Sequence, residues 1–491
     1  MSDARTYRFS DAQRPGLLLG LSSRQAIPLG TGVLVFAAAL QTGIPLAVGM
    51  LPPVVGTLIA FGRWRGAALT ETLAPGMRLG IKRLTRRRRW VRPPLLGDNT
   101  GSGLPKMLQG LELTETSPGQ AGRRPVAIIR DRIAGTVTTV IRIHGHGFPL
   151  ASAGEQDTML TSWAAALSPF ARERSPISTI SWQEWAHPVT SGVHTDFLDS
   201  VGIHQRPGPH LADYQALIVQ QAPVTIAHDV LMTISVNLRK VPARRSLTSR
   251  AHAAIEALLD ETRLFTSRLE AAGLTVDEPL DAIDLSAAIR VRSDPARSAQ
   301  VATLTRSLAA AARRGALEWG PMVVEPEWAH TRVDGAYHRA YRVASWPQLP
   351  VGSDWMNELL TGTQTVRTVT VVLEPVPMGR AARSADREVM SREADADMKT
   401  QKGFRVNARE RKRLADVEQR ERELSEGHAE FQFVGIIDVT AQTLDELDDA
   451  CADVEQAAAQ SLLDLRPLDA RHELGWLSSL PLGRTLTRRL Q

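Results

Sequence analysis

Cysteine is almost missing from this chain: Cys451 is the single one among 491 residues. That excludes an intrachain disulfide framework and a cysteine-based zinc site, and it fits a reducing compartment. Cys451 falls on an expected helix, where a packed and inert thiol is the ordinary outcome. Signatures of catalysis are missing too. No GxxxxGK[ST] occurs, so a complete P-loop ATPase is excluded on this chain, and HExxH, GxSxG and GxGxxG are equally absent. The most informative absence is of charge. From Ala26 to Gly62 the sequence AIPLGTGVLVFAAALQTGIPLAVGMLPPVVGTLIAFG carries no ionisable side chain in 37 positions.

One helix of that length would run to roughly 55 Å, well beyond a hydrocarbon core of about 30 Å. The run must fold back. Gln41, Thr42, Gly43 and Pro45 mark the turn between one segment near Ala26–Leu40 and another near Ile44–Gly62. Pro52 and Pro53 are expected to kink the second segment, and Gly43, Gly49 and Gly56 to let its neighbour pack closely. The expectation is a transmembrane hairpin; a buried soluble core and a cleaved signal peptide with small residues at Ala37–Ala39 are the alternatives. Arg5, Arg8, Arg14 and Arg24 precede the pair, and Arg63, Arg65, Arg78, Lys82, Arg83 and Arg86–Arg89 follow it. Basic flanks on both sides predict a multi-pass protein of the inner cell membrane with both termini cytoplasmic.

The whole-chain net charge of +5 is modest, so where the charge lies matters more than its sum. In TETLAPGMRLGIKRLTRRRRWVR, Leu73, Met77, Ile81 and Leu84 recur at helical spacing under a basic face. That pattern predicts a helix lying in the membrane interface, with Trp64, Lys82, Arg83, Arg86, Arg87, Arg88, Arg89 and Trp90 at headgroup level and lipid as the partner. Direct nucleic-acid binding by the Arg run is the open alternative, weakened by the lack of interleaved aromatics.

The fold class expected is α+β: the two-helix transmembrane hairpin, then a cytosolic mixed α/β-sheet domain with a charged helical insertion. Its parts are a cytoplasmic tail (1–25), the hairpin (26–62), a basic juxtamembrane segment (63–92), a Pro/Gly/Ser linker (93–109), an α+β domain (110–378), a charged insertion (379–428) and the rest of the domain (429–491). Strands are expected at Val126–Arg130, Thr136–His144, Ile177–Trp185, Val224–Leu238, Glu318–Val324, Tyr337–Ala344, Thr365–Glu374 and Glu430–Val439. Helices are expected from the Ser152/Glu155 capping box to Leu167, and over Leu211–Gln221, Leu247–Ala272, Ala282–Ile289 and Gln300–Ala312. Another follows the Thr443/Glu446 box to about Leu462. In the long helix Ile255, Leu258, Leu259, Leu264 and Leu269 are the core contacts. No repeat of 20–50 residues stands out. The insertion reads as two polar helices broken near Gly403, either a solvated face or an arm that docks on a partner.

Candidate chemistry is sparse. His144 and His146 could face one way on a strand as metal ligands, but no third ligand follows. His194, Asp196 and Asp199 form a polar cluster read as surface loop, while Trp182 and Trp185 read as packing residues. No catalytic, cofactor-binding or metal-binding residues are assigned, and no cofactor is expected. The apolar tail patch Leu474, Trp476, Leu477, Leu480, Pro481 and Leu482 has two readings, a partner-docking surface or a part of the chain's own core.

A two-helix hairpin left through FGRWRG and KRLTRRRRWVRP resembles the small PrgI-type membrane component found beside type IV secretion ATPases. The remainder, ending in LGWLSSLPLG, is similar to the amino-terminal, non-motor domain of conjugation ATPases of the TraC and TrbE class. Together they resemble an actinobacterial family of integral membrane proteins in which both pieces are fused and the motor is encoded separately. The resemblance implies a non-enzymatic, membrane-anchored structural subunit of a conjugation or type IV-like secretion complex. Its implied partners are a P-loop motor ATPase and further copies in an oligomeric assembly. A type VII secretion component of the EccE kind, a membrane-bound transferase or hydrolase, and a lipid- or nucleic-acid-binding module are the alternatives.

Overall fold

Prolines and glycines cut the uncharged run into unequal helices. The computed structural model describes Tyr7, Phe9 and residues 23–484 except 43–44, 65–66, 86–87, 93–103, 117–124, 146, 189–197, 199–200, 203–208, 222–225, 242–246, 303–304, 306–318 and 402–407. Helix α1 (Ser23–Gln41) is followed by a single turn, α2 (Leu46–Gly49), and by α3 (Leu51–Phe61). Pro52 and Pro53 do not kink α3. They sit in its first turn, where a missing N–H costs nothing. With 11 residues, α3 spans only about 17 Å. Among the described residues no helix is long and apolar enough to cross a membrane. The expected transmembrane hairpin and the multi-pass membrane placement are therefore corrected: the chain does double back, but as one helix of 19 residues that opens on Ser23, Arg24 and Gln25 and another of 11.

After the short strands β1 (Arg63–Trp64) and β2 (Ala67–Ala68), α4 (Leu69–Leu84) leads to the sheet domain. The first half of that domain contains β3 (Trp90–Val91), β4 (Leu111–Thr116), β5 (Val126–Asp131), β6 (Thr136–His144), α5 (Ala153–Leu167), β7 (Ile177–Pro188), α6 (Pro209–Gln221), β8 (Ile226–Asn237), α7 (Leu247–Ala271), β9 (Thr275–Val276) and α8 (Ala282–Ser293). The second contains β10 (Val323–Pro326), β11 (Thr331–Val333), β12 (Ala336–Ser345), α9 (Asn357–Thr361), β13 (Arg367–Val376), α10 (Met378–Gln401), α11 (Ala408–Ser425), β14 (Glu430–Ala441), α12 (Leu444–Gln460), β15 (Asp464–Pro467) and α13 (His472–Ser479). Both capping boxes form as the sequence predicts, at Ser152/Glu155 and Thr443/Glu446.

All the strands but β1 and β2 join one 13-stranded sheet, ordered β3-β10-β11-β12-β14-β13-β7-β8-β6-β5-β4, with β15 beside β12 and β9 beside β6. Every pairing is antiparallel. Apart from β3 at one edge, the order reads the same from either side of the β7–β13 pair. Strands β4-β5-β6-β8-β7 mirror β10-β11-β12-β14-β13, and β9 on β6 mirrors β15 on β12. The central pair is itself antiparallel, with Trp182 opposite Val371. The two halves, Leu111–Ser293 and Val323–Ser479, are thus one motif built twice about an approximate two-fold axis. Its period is far longer than the 20–50 residues in which a sequence repeat would show.

Helices cover both sheet faces. On one, α5 and α7 bury Leu258, Phe265 and Leu269 against Ile141, Ile180 and Ile234, and α12 buries Leu447 and Val454 against Tyr341, Val369 and Ile437. Of the expected α7 contacts, Leu264 points outward and Phe265 takes the core position. On the other face α8 and α13 lie over Ile129, Val140, Leu231 and Val324. The charged insertion is an antiparallel pair, α10 with α11. It is rooted by Ala381, Ala385 and Val417 and by Arg420, which grips Glu430 at 2.7 Å and Glu388 at 3.1 Å. The expected amino-terminal tail contributes Phe9 to a ring cluster with Trp346, Trp355 and Phe433, and Tyr7 bridges Val351.

Candidate docking surface

Glycines make the helical hairpin close-fitting. A Cβ on Gly56 would lie 2.5 Å from the Pro28 carbonyl oxygen, and one on Gly32 would lie 2.8 Å from that of Pro52. The Gln25 side chain donates to the Ala60 carbonyl oxygen at 3.3 Å. Inner surfaces are therefore consumed by helix-to-helix contact, and the outer ones are bare. Leu34 is 72% exposed and Leu58 60%, with Ile27, Leu46, Val54 and Phe61 in the same condition. The surface continues onto α4, where the stripe Met77, Ile81 and Leu84 faces outward while Leu79 and Thr72 face the body. So large an uncovered apolar area marks an interaction site.

Basic residues of α4 and of the segment after it find acidic partners within the chain. Lys82 lies 3.4 Å from Glu473; Arg83 is hydrogen-bonded to Glu327; Arg88 reaches Glu325 at 2.8 Å and Glu327 at 2.6 Å. Gly76 backs onto the Trp328 ring. Trp90 pairs through β3 with Val324 and packs on the core. Lys82 and Arg83 thus tie α4 to its own sheet domain, and Arg88 and Trp90 tie the segment that follows it. Arg89 is exposed, Trp64 pairs with Ala67, and Arg86 and Arg87 lie outside the described residues.

The tail patch takes the second of its two readings. Trp476, Leu477, Leu480, Pro481 and Leu482 are buried, and Leu474 is half-buried against Ala340 and Ile436. Beyond α13 the backbone crosses the middle of the sheet on a strip of small polar side chains. Gln183 donates to the Leu480 carbonyl at 3.0 Å, and Gly483, at φ +63°, lies where a Cβ would strike the Ser235 and Thr138 hydroxyls. Arg484 closes the path. Its guanidinium donates to both oxygens of Asp131, at 2.7 and 2.9 Å, and to the carbonyls of Met107 and Gln109. A fork matching a carboxylate in this way is the strong form of ion pair. The hydropathy of the tail pointed to burial, but nothing in its sequence names Asp131 as the partner.

Sequence reading also missed two polar clusters. Asp229 on β8 is clamped by Arg142, at 2.8 Å, and by the buried Arg292 at the end of α8, also at 2.8 Å. Burial alone would raise the Asp229 carboxyl, but the charges of Arg292 and Arg142 outweigh it and hold it down at about 2. Arg292 also lies over the Trp185 ring, which stacks on His187. Within the second half, His338 is wholly buried. Its Nε2 donates to the Ser293 carbonyl at 2.9 Å, while Nδ1 faces the Asp438 carboxylate at 2.9 Å. The Thr440 hydroxyl also lies 3.1 Å from Nδ1, and the surroundings act on the charged form of the ring. Burial opposes that charge, but Asp438 outweighs it and raises the imidazole above its ordinary value.

His144 pairs with Asp277 at 3.0 Å at an exposed strand end. No group of His, Cys, Asp and Glu that could hold a metal ion occurs among the described residues. His146, His194, Asp196 and Asp199 lie outside them. Trp182 is half-buried in packing contacts, and burial pushes the Cys451 thiol up to about 11. A cleft between α4 and β15, lined by Glu71, Arg342, Arg466, Asp469 and Arg471, has room for about one water molecule. Against known proteins, the chain matches no family model and no curated protein.

Proposed function

We propose that the chain is a structural subunit of a conjugation- or type IV-like secretion complex, working beside a separately encoded P-loop motor. The observation that carries this reading is the division of labour between a sheet domain that buries its own apolar tail and a glycine-packed hairpin that leaves its outer faces bare. A surface of that kind is costly for a protein that works alone and ordinary for one that works assembled. The rooted arm α10–α11 gives the motor a second, polar contact. Support from sequence comes from the FGRWRG and LGWLSSLPLG stretches that carry the resemblance.

The test is recovery of the tagged full chain from its source cells, followed by identification of what comes with it. A P-loop ATPase lacking an amino-terminal domain of its own is the expected companion. Removing residues 379–428 should weaken its recovery at least tenfold while the sheet domain keeps its melting temperature. Companions from a type VII system would move the assignment to that machinery, and the absence of any P-loop protein would contradict the proposal.

A further inference from the structure

We infer that the α1–α3 hairpin is a self-association element, whose bare outer faces pack against the same hairpin of a second copy of this chain. The inference goes beyond the proposed function and stands whether or not a motor is found. Among the described residues, none covers the outer faces of the hairpin. Gly32 and Gly56 already bring α1 and α3 to backbone contact, so the pair cannot collapse further. The α3 end is tied on through the Leu69 amide, which donates to the Gly62 carbonyl at 2.9 Å. Helix α4 is in turn held to the sheet domain by Lys82 on Glu473 and Arg83 on Glu327. With its base fixed and its inner side spent, the hairpin offers its outer faces to a surface that no described residue supplies.

Chemistry narrows the occupant. From Ala26 to Gly62 no face carries a charge, so the covering surface must be apolar, uncharged and of matching length. A second hairpin meets all three conditions. The size fits too. Outward side chains such as Ile27, Leu34, Leu46 and Leu58 present on the order of 1,000 Å² of apolar surface per copy, against about 800 Å² per partner in a stable complex. Identical patches meeting about a two-fold axis are the commonest way in which soluble chains associate.

Cys451 is buried, which makes cysteine cross-linking clean. Leu34→Cys and Leu58→Cys are to be introduced separately into the full chain, with Leu150→Cys, 92% exposed on the sheet domain, as the control. Mild oxidation at micromolar concentration should link most of the Leu34→Cys chains into disulfide dimers and leave Leu150→Cys monomeric. Leu34→Glu with Leu58→Glu should raise the dimer dissociation constant at least a hundredfold without moving the melting temperature of the sheet domain. Sedimentation of the unmodified chain as a monomer at those concentrations would overturn the inference. So would a Leu34→Cys protein that stays monomeric and is taken up by phosphatidylcholine/phosphatidylglycerol vesicles, because lipid would then be the occupant.

Discussion

Two stretches of this chain are equally short of charge and end up in opposite places. The tail around Leu474–Leu482 disappears into the sheet domain, while the hairpin from α1 to α3 stays outside it. Hydropathy says only that each must be covered. What separates them is the polar framework around each. The tail meets Gln183, Ser235, Thr138 and the Arg484–Asp131 fork, which fix its backbone as well as its side chains. Among the described residues the hairpin has no such hooks on its outer faces.

Removing the tail's largest anchor should break the comparison hardest. Trp476 is wholly buried, and Trp476→Ala is expected to cost about 4 kcal/mol in urea unfolding of the sheet domain. Next in size is Arg484→Ala, which strips Asp131 of its guanidinium. A loss of about 3 kcal/mol should follow, with faster hydrogen exchange over residues 480–484.

Acid sharpens the contrast, because residues 26–62 contain nothing that titrates. The folded Asp229 carboxyl lies near 2, below its unfolded value near 4, so its contribution is complete above pH 4 and lost as pH falls towards 2. About 2 kcal/mol of sheet-domain stability should vanish across that window, as read by chemical unfolding at stepped pH. The smallest effect is expected from Leu34→Asn, which should change folding stability by less than about 0.5 kcal/mol, because its side chain is bare within one copy.

Much of the sheet domain is legible in the sequence, for reasons visible at particular residues. The β-formers Val137, Val140, Ile141 and Ile143 between turn signals and the capping boxes at Ser152 and Thr443 are local signals, and the elements they mark sit where expected. Short β11 and β15 carry no such signal: β11 is fixed between its neighbours β10 and β12, and β15 by pairing with the distant β12. The two-fold build is invisible because pairing conserves order and direction, not residue identity. The partners of the basic residues in and after α4 are hidden for a related reason. Arg83 and Arg88 declare that something acidic lies nearby, and their partners Glu325 and Glu327 are more than two hundred positions away. Uncharged length misled at the hairpin, where the break at Pro45 and Met50 leaves α3 too short to span a bilayer.

The central claim is that the tail is covered from within the chain and the hairpin from outside it. Hydrogen exchange on the full chain at two concentrations a hundredfold apart tests it most directly. Protection of α13 and residues 480–484 should be the same in both, while protection of α1 and α3 should rise with concentration. Hairpin exchange that ignores concentration as the tail does would contradict the account.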